Sequence, residues 1–186
     1  MVWNLFLAAI PAALAPILFR RARIALVPWW VLFAVWLVFL PNAPYVLTDV
    51  VHLFDDVRDS RSATHACVVL ALYGTLFTCG LASYVWSLQW FRRFLQRVVT
   101  HRVELLIVLA VHALCVVAMY LGRVGRLNSW DTVREPERVI AGGLRAVHPS
   151  NLALLGTMFV VVGVGAFVMA LVCGEIWHRL RSRTGA

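Results

Sequence analysis

Five long apolar runs, separated by short polar stretches, dominate the chain: residues 2–19, 24–40, 63–90, 103–121 and 151–174. Each approaches or exceeds the roughly 20 apolar residues that carry a helix across a bilayer. The pattern predicts an all-α polytopic membrane bundle of about five transmembrane helices, one domain over residues 1–186. Pro11 and Pro16 interrupt the first run, which predicts a kinked or short helix of the kind membrane neighbours tolerate. Pro28 falls in the first turn of the second run, where a missing N–H costs little. Trp29 and Trp30 stand at the same end, as aromatic anchors do. The third run carries Gly74, Thr75, Thr78, Gly80, Ser83 and Ser87, small and hydroxylic residues of the type that mark helix–helix contacts.

Two polar segments, 41–62 and 122–150, break this pattern. Pro41 and Pro44 end the second span, because a residue before proline avoids the α region. From 45 to 57 the periodicity predicts a short amphipathic interfacial helix. At about 100° per residue, Tyr45, Asp49, His52 and Asp56 share one narrow face, widened by Thr48 and Asp55. Helices that lie on lipid carry basic residues on the polar side, so an acidic face implies another neighbour. In the second segment, residues 136–147 predict a surface helix opened by Pro136 and weakened by Gly142 and Gly143. Ser150 or Asn151 is placed to cap the last span.

Composition sharpens the class. The chain is 62% hydrophobic, with a mean hydropathy of +0.82, beyond the half-apolar content of soluble domains. All 17 basic residues are arginine and the net charge is +8. Nucleic-acid binding is not the reading, because these arginines cluster at span ends, where they set topology. Arg20, Arg21 and Arg23, the 92–102 cluster and the tail hold ten of them; the two polar segments hold seven, with seven of the nine acids. The positive-inside rule then predicts a cell (inner) membrane protein with its N-terminus outside and its C-terminus cytoplasmic. The first positive charges follow the first apolar run, which favours a retained span over a cleaved leader. Two spans separate the polar segments, so both face the same side whichever way the chain inserts. The four cysteines, none in a C-x-x-C pair, read as small apolar side chains.

Three constellations carry candidate chemistry. Asp49, His52 and Asp56, beside Tyr45, can ligate a divalent metal or act as an acid–base pair; they can equally form structural ion pairs with Arg123 and Arg126. Arg123 and Arg126 can grip a phosphate or carboxylate. Asn128, Ser129, Trp130 and Asp131 add amide, hydroxyl and indole donors to that segment. Its plainer reading is arginines snorkelling to lipid phosphates beside an aromatic anchor. His112 lies near mid-bilayer, where an ionisable group is a functional candidate; a neutral imidazole bonded to Thr75 or Thr78 is the simpler assignment. His101 and His178, among arginines, read as solvated.

The motif Leu40-Pro41-Asn42-Ala43-Pro44-Tyr45, followed by Thr48-Asp49 and His52, resembles the first signature of an uncharacterised bacterial membrane family, domain-of-unknown-function family 1361. Gly122-Arg123, Arg126 and Asn128-Ser129-Trp130-Asp131 resemble its second. The resemblance implies a small multi-spanning membrane protein and carries over no activity. Its signature positions are those selected above on physical grounds, which predicts that they form one site.

The leading expectation is an outer-face polar pocket that recognises or processes a lipid-like or envelope substrate with an anionic headgroup. Tyr45, Arg123, Arg126, Asn128, Trp130 and Asp131 would bind it, and Asp49 and His52 would move protons or help hold a metal. The alternatives are a non-enzymatic structural or accessory subunit and a small transporter. The residues do not fix whether a reaction takes place.

Overall fold

A computed structural model describes residues 2–20 and 25–183, with side chains as far as Gly174. Arg21, Arg23 and the side chains of His178, Arg179, Arg181 and Arg183 lie outside the described residues. Among the described residues the fold is helical, without strands. Its long elements are α1 (Val2–Phe19), α2 (Leu26–Phe39), α5 (Ala63–Leu95), α6 (His101–Arg123) and α9 (Leu152–Arg183). Short elements bridge them: α3 (Asn42–Tyr45), a 3₁₀ turn (Val46–Asp49) and α4 (Val50–Arg58) after α2, then α7 (Asp131–Arg134), α8 (Pro136–Ala146) and a second 3₁₀ turn (Pro149–Asn151) before α9.

Four helical runs are long and apolar enough to cross a membrane: Leu26–Arg58, Ala63–Leu95, His101–Arg123 and Pro149–Gly174. The first of the five expected spans is a shorter apolar helix, yet it is central. α1 packs along α5 and against α2, burying Ala8, Ala15, Leu18 and Phe19 completely or nearly so. Helical structure runs through Pro11 and Pro16 without a break.

One end of the bundle is cemented by aromatic rings. Phe19 stands 5.0 Å from Trp36, 5.2 Å from Phe91 and 5.6 Å from Phe94, centroid to centroid, distances at which such rings attract. Trp29 does more than anchor, since its Nε1 donates to Leu18 O at 3.2 Å. A second fixture at that end is Glu104, which is buried and accepts from Arg92 Nε at 2.7 Å and Gln96 Nε2 at 3.2 Å. His101, expected to be merely solvated, is exposed but also reaches Glu104, at 3.1 Å. This cluster ties the start of α6 to the end of α5.

At the other end the helices separate. α6 packs mainly on α8 and α9, with little contact to α1 or α2. Small residues let the connecting segments approach there. A Cβ on Gly80 would overlap Val46 Cγ2 and stand 2.6 Å from Ala43 O, so the glycine admits α3 against α5.

Several local expectations change. The polar segment does not begin a fresh regular helix at Tyr45: α3 starts at Asn42, and a 3₁₀ turn precedes α4. A 3₁₀ turn advances about 120° per residue, so the projected face rotates, and Tyr45, Asp49, His52 and Asp56 no longer form one stripe. Neither Ser150 nor Asn151 caps the last span through its side chain as expected. His148 Nδ1 instead accepts from the Ser150 N–H at 3.4 Å, and Asn151 Nδ2 donates to Arg145 O. Mid-bundle, His112 bonds to Tyr84 (Oη to Nδ1, 2.7 Å) and to Phe159 O (from Nε2, 3.1 Å), rather than to Thr75 or Thr78. Those threonines donate to Ala71 O and Gly74 O of their own helix. A carbonyl only accepts, so Nε2 of His112 carries a hydrogen for Phe159 O, and Nδ1 shares a hydrogen bond with Tyr84 Oη.

Candidate functional site

A cavity of about 710 Å³ fills the gap between α1, α2 and α6 at the separated end. Its rim is polar: Asn4, Asn42, Tyr45, His52, Arg123, Arg126, Asn128, Ser129, Trp130 and Thr132. Its depth is apolar, formed by Leu37 and Val38 of α2 and Leu114, Val117 and Ala118 of α6. Leu114 is nine residues from Arg123, a rise of about 13 Å between their Cα atoms along α6.

The rim is assembled by contacts between the two polar segments. Asn42 Nδ2 donates to Ser129 Oγ at 2.8 Å and to Phe39 O at 3.0 Å. Tyr45 lies over Gly122, where a Cβ would come within 2.9 Å of Cε2 of its ring. Thr48 Oγ1 donates to Tyr45 O at 2.8 Å and steadies the turn. Arg123 Nη1 reaches Asp49 Oδ1 at 3.8 Å and donates to His52 Nε2 at 3.5 Å. The helix α1 closes the rim from the third side. Trp3 and Trp130 lie 6.3 Å apart, and Asn4 Nδ2 is 3.5 Å from Asp49 Oδ2.

Arg126 stands apart. It is the single non-glycine residue with positive φ among the described residues, at 53°. The position follows from how α6 ends, with the Leu127 N–H folding back to Leu121 O at 3.2 Å. Gly125 precedes it, and a Cβ there would stand 2.7 Å from Leu121 O. The chain thus spends its glycine on a close approach and leaves the left-handed conformation to an arginine, at about 1–2 kcal/mol. No ion pair to Arg126 occurs among the described residues.

The expected site residues therefore divide. Tyr45, His52, Arg123, Arg126, Asn128 and Trp130 line one cavity. Asp49 does not line it; it sits buried behind Arg123, placed to orient the guanidinium. Asp131 does not line it either, because its Oδ2 accepts from the Asn128 N–H at 2.6 Å and closes the turn. Asp56 turns away to α5, where Tyr73 Oη donates to it at 2.7 Å. The candidate metal set Asp49, His52 and Asp56 is thereby dispersed, and no group of three or more potential ligands occurs among the described residues. Trp3, Asn4 and the apolar floor were not anticipated. Asn4 had a signal, being the one polar side chain in the first apolar run.

Fold and site together define a helical membrane protein whose polar signature residues gather around a cavity that is charged at its rim and apolar in depth. The chain belongs to the family described as "Protein of unknown function (DUF1361)", whose model matches residues 3–167. It matches no curated protein and no solved structure.

Proposed function

We propose that this cavity, at the outer face of the membrane, binds a lipid-like substrate by its anionic headgroup. The carrying observation is the order of its lining along α6: Arg123 at the helix end beside Arg126, then aliphatic side chains as far as Leu114, a rise of about 13 Å. A soluble anion has no use for such a floor, and a simple acyl chain has no use for the arginines. Arg126, which makes no ion pair among the described residues, is the principal anion ligand. Arg123, oriented by Asp49, is the second, and His52 is a cavity-lining group suited to moving a proton. Tyr45, Asn128 and Trp130 frame the headgroup. A structural or accessory role draws support from the Arg123–Asp49 pair, which joins the two polar segments with no ligand required.

The test is lipid retention by the purified protein, read by native mass spectrometry. Wild type should retain phosphatidic acid or phosphatidylglycerol over phosphatidylcholine of the same chains. Arg126→Ala should weaken that retention by roughly tenfold or more, the worth of a charge-assisted hydrogen bond. Indifference to headgroup charge in the wild type would leave the structural role as the better account.

A further inference from the structure

We infer that the headgroup bound here carries hydroxyl groups beside its anion, making the ligand a polyol-bearing anionic amphiphile of the phosphatidylglycerol or glycosylated-phospholipid kind. The inference rests on the proposed lipid site and narrows it.

It comes from accounting for donors and acceptors at the rim. Asn42 is oriented without ambiguity, because Phe39 O accepts only and so must face the amide nitrogen. Both hydrogens of that nitrogen are committed, one to Phe39 O and one to Ser129 Oγ. What Asn42, a residue lining the cavity, has left over is its carbonyl oxygen, a pure acceptor. Asn4 behaves in the same way. Its nitrogen faces a carboxylate oxygen of Asp49 across a longer 3.5 Å, and its Oδ1 is left over. Neither oxygen has a hydrogen-bond donor among the described residues. Neither is buried without a partner, as Trp36 Nε1, Ser87 Oγ and Trp90 Nε1 are, so both oxygens are open to water or a ligand.

A phosphate or carboxylate is rich in acceptors and gains nothing from two carbonyl oxygens. A bare anionic head would therefore leave them unsatisfied once it displaced water, at a cost to affinity. The head must also donate. Its donors can be hydroxyls or an ammonium, and charge separates the two. An ammonium needs a carboxylate, yet none lines the cavity. Asp49 is turned to Arg123, Asp131 to the Asn128 N–H and Asp56 to Tyr73. With Arg123 and Arg126 at the rim, a second cation is repelled. Hydroxyls carry no such penalty, and Ser129, whose oxygen already accepts from Asn42, keeps its own hydrogen for a hydroxyl oxygen.

The experiment is a competition among four lipids with identical acyl chains, added to delipidated full-length protein and read by native mass spectrometry. They are phosphatidylglycerol, phosphatidic acid, phosphatidylethanolamine and phosphatidylcholine. Charge alone favours phosphatidic acid, a monoester carrying about −1.5 to −2. The inference expects the reverse order, with phosphatidylglycerol retained at least about fivefold better, the worth of one net hydrogen bond. Asn42→Leu should erase that preference and keep the preference for anions, whereas Arg126→Ala should weaken both lipids. The wild-type panel decides the matter even if Asn42→Leu fails to fold. Phosphatidic acid equal to or above phosphatidylglycerol overturns the hydroxyl inference and leaves the anion site standing. Phosphatidylethanolamine above phosphatidylglycerol overturns it in favour of an ammonium. Equal retention of all four overturns the lipid-site reading and the inference together.

Discussion

Arg123 and Arg126, three residues apart, do different work. Arg123 faces Asp49 at 3.8 Å, with its side chain 30% exposed and that of Asp49 10% exposed. The pair lies between the exposed regime of about 0–1 kcal/mol and the buried regime of about 3–5 kcal/mol. Asp49→Ala and Arg123→Ala should each cost about 1–3 kcal/mol in detergent unfolding. The double mutant should recover about 1 kcal/mol of their sum. The same cycle between Asp49 and Arg126 should be additive, since these two do not pair. Arg126 offers a separate test through its backbone. Arg126→Gly relieves the left-handed strain, so its unfolding midpoint should hold or rise while retention of anionic lipid falls. A loss of both stability and binding would mean that the arginine serves the fold. At this scale the sequence was informative about residue type: the acids, the arginines and the Asn-Ser-Trp-Asp turn all drew notice. It could not say which carboxylate faces which partner, because that depends on the rotation of a 3₁₀ turn and on Tyr73 nearly three turns into another helix.

Elements were legible wherever hydrophobic periodicity was strong. The third and fourth expected spans lie within longer helices, α2 falls inside the second, and the expected surface helix at 136–147 is α8. The surprises lie at junctions, where tertiary contact overrides local pattern. The stretch after Pro41 is an example: the backbone stays helical through Leu40, Pro41 and Val46, where the prolines predicted an end, and Gly80 lets α3 come close to α5. Gly80 and Gly74 stand six residues apart on one helix and make a matched pair. Gly80→Ala should destabilise by about 1–3 kcal/mol through overpacking. Nothing lies within 4 Å of a Cβ placed on Gly74, so Gly74→Ala should be neutral or stabilise by up to about 1 kcal/mol, as helix propensity dictates. Equal effects at the two sites would remove the reason given for the close approach of α3 to α5.

For the whole molecule, parity of the spans put both polar segments on one side, and their hydrogen bonds now join them at one end. Cysteine labelling on a cysteine-free background should find positions Ser60 and Glu137 accessible from the same side, proposed as the outside, with the tail reachable from the other. Opposite accessibility would break the architecture. What the chain hid at this scale was the place of α1. Apolar throughout except for Asn4, it read as one more span, and nothing in its periodicity announces a helix that packs along α5 and supplies a wall of the cavity.

The joining of the two rim segments has an electrical consequence. Segment 41–62 holds two arginines and four aspartates, and segment 122–150 holds five arginines and three acids. The two flaps that meet at the cavity mouth thus carry opposite formal charges of equal size, so the mouth is drawn shut by a field as well as by contacts. Ionic strength acts on that field directly, because the screening distance shrinks from about 30 Å at 0.01 M salt to about 3 Å at 1 M. A thiol placed at Thr132 should react faster with a water-soluble reagent as salt rises, and Asp49→Asn should raise its reactivity at low salt. On that outcome, access to the cavity would follow the ionic strength of the fluid at its mouth.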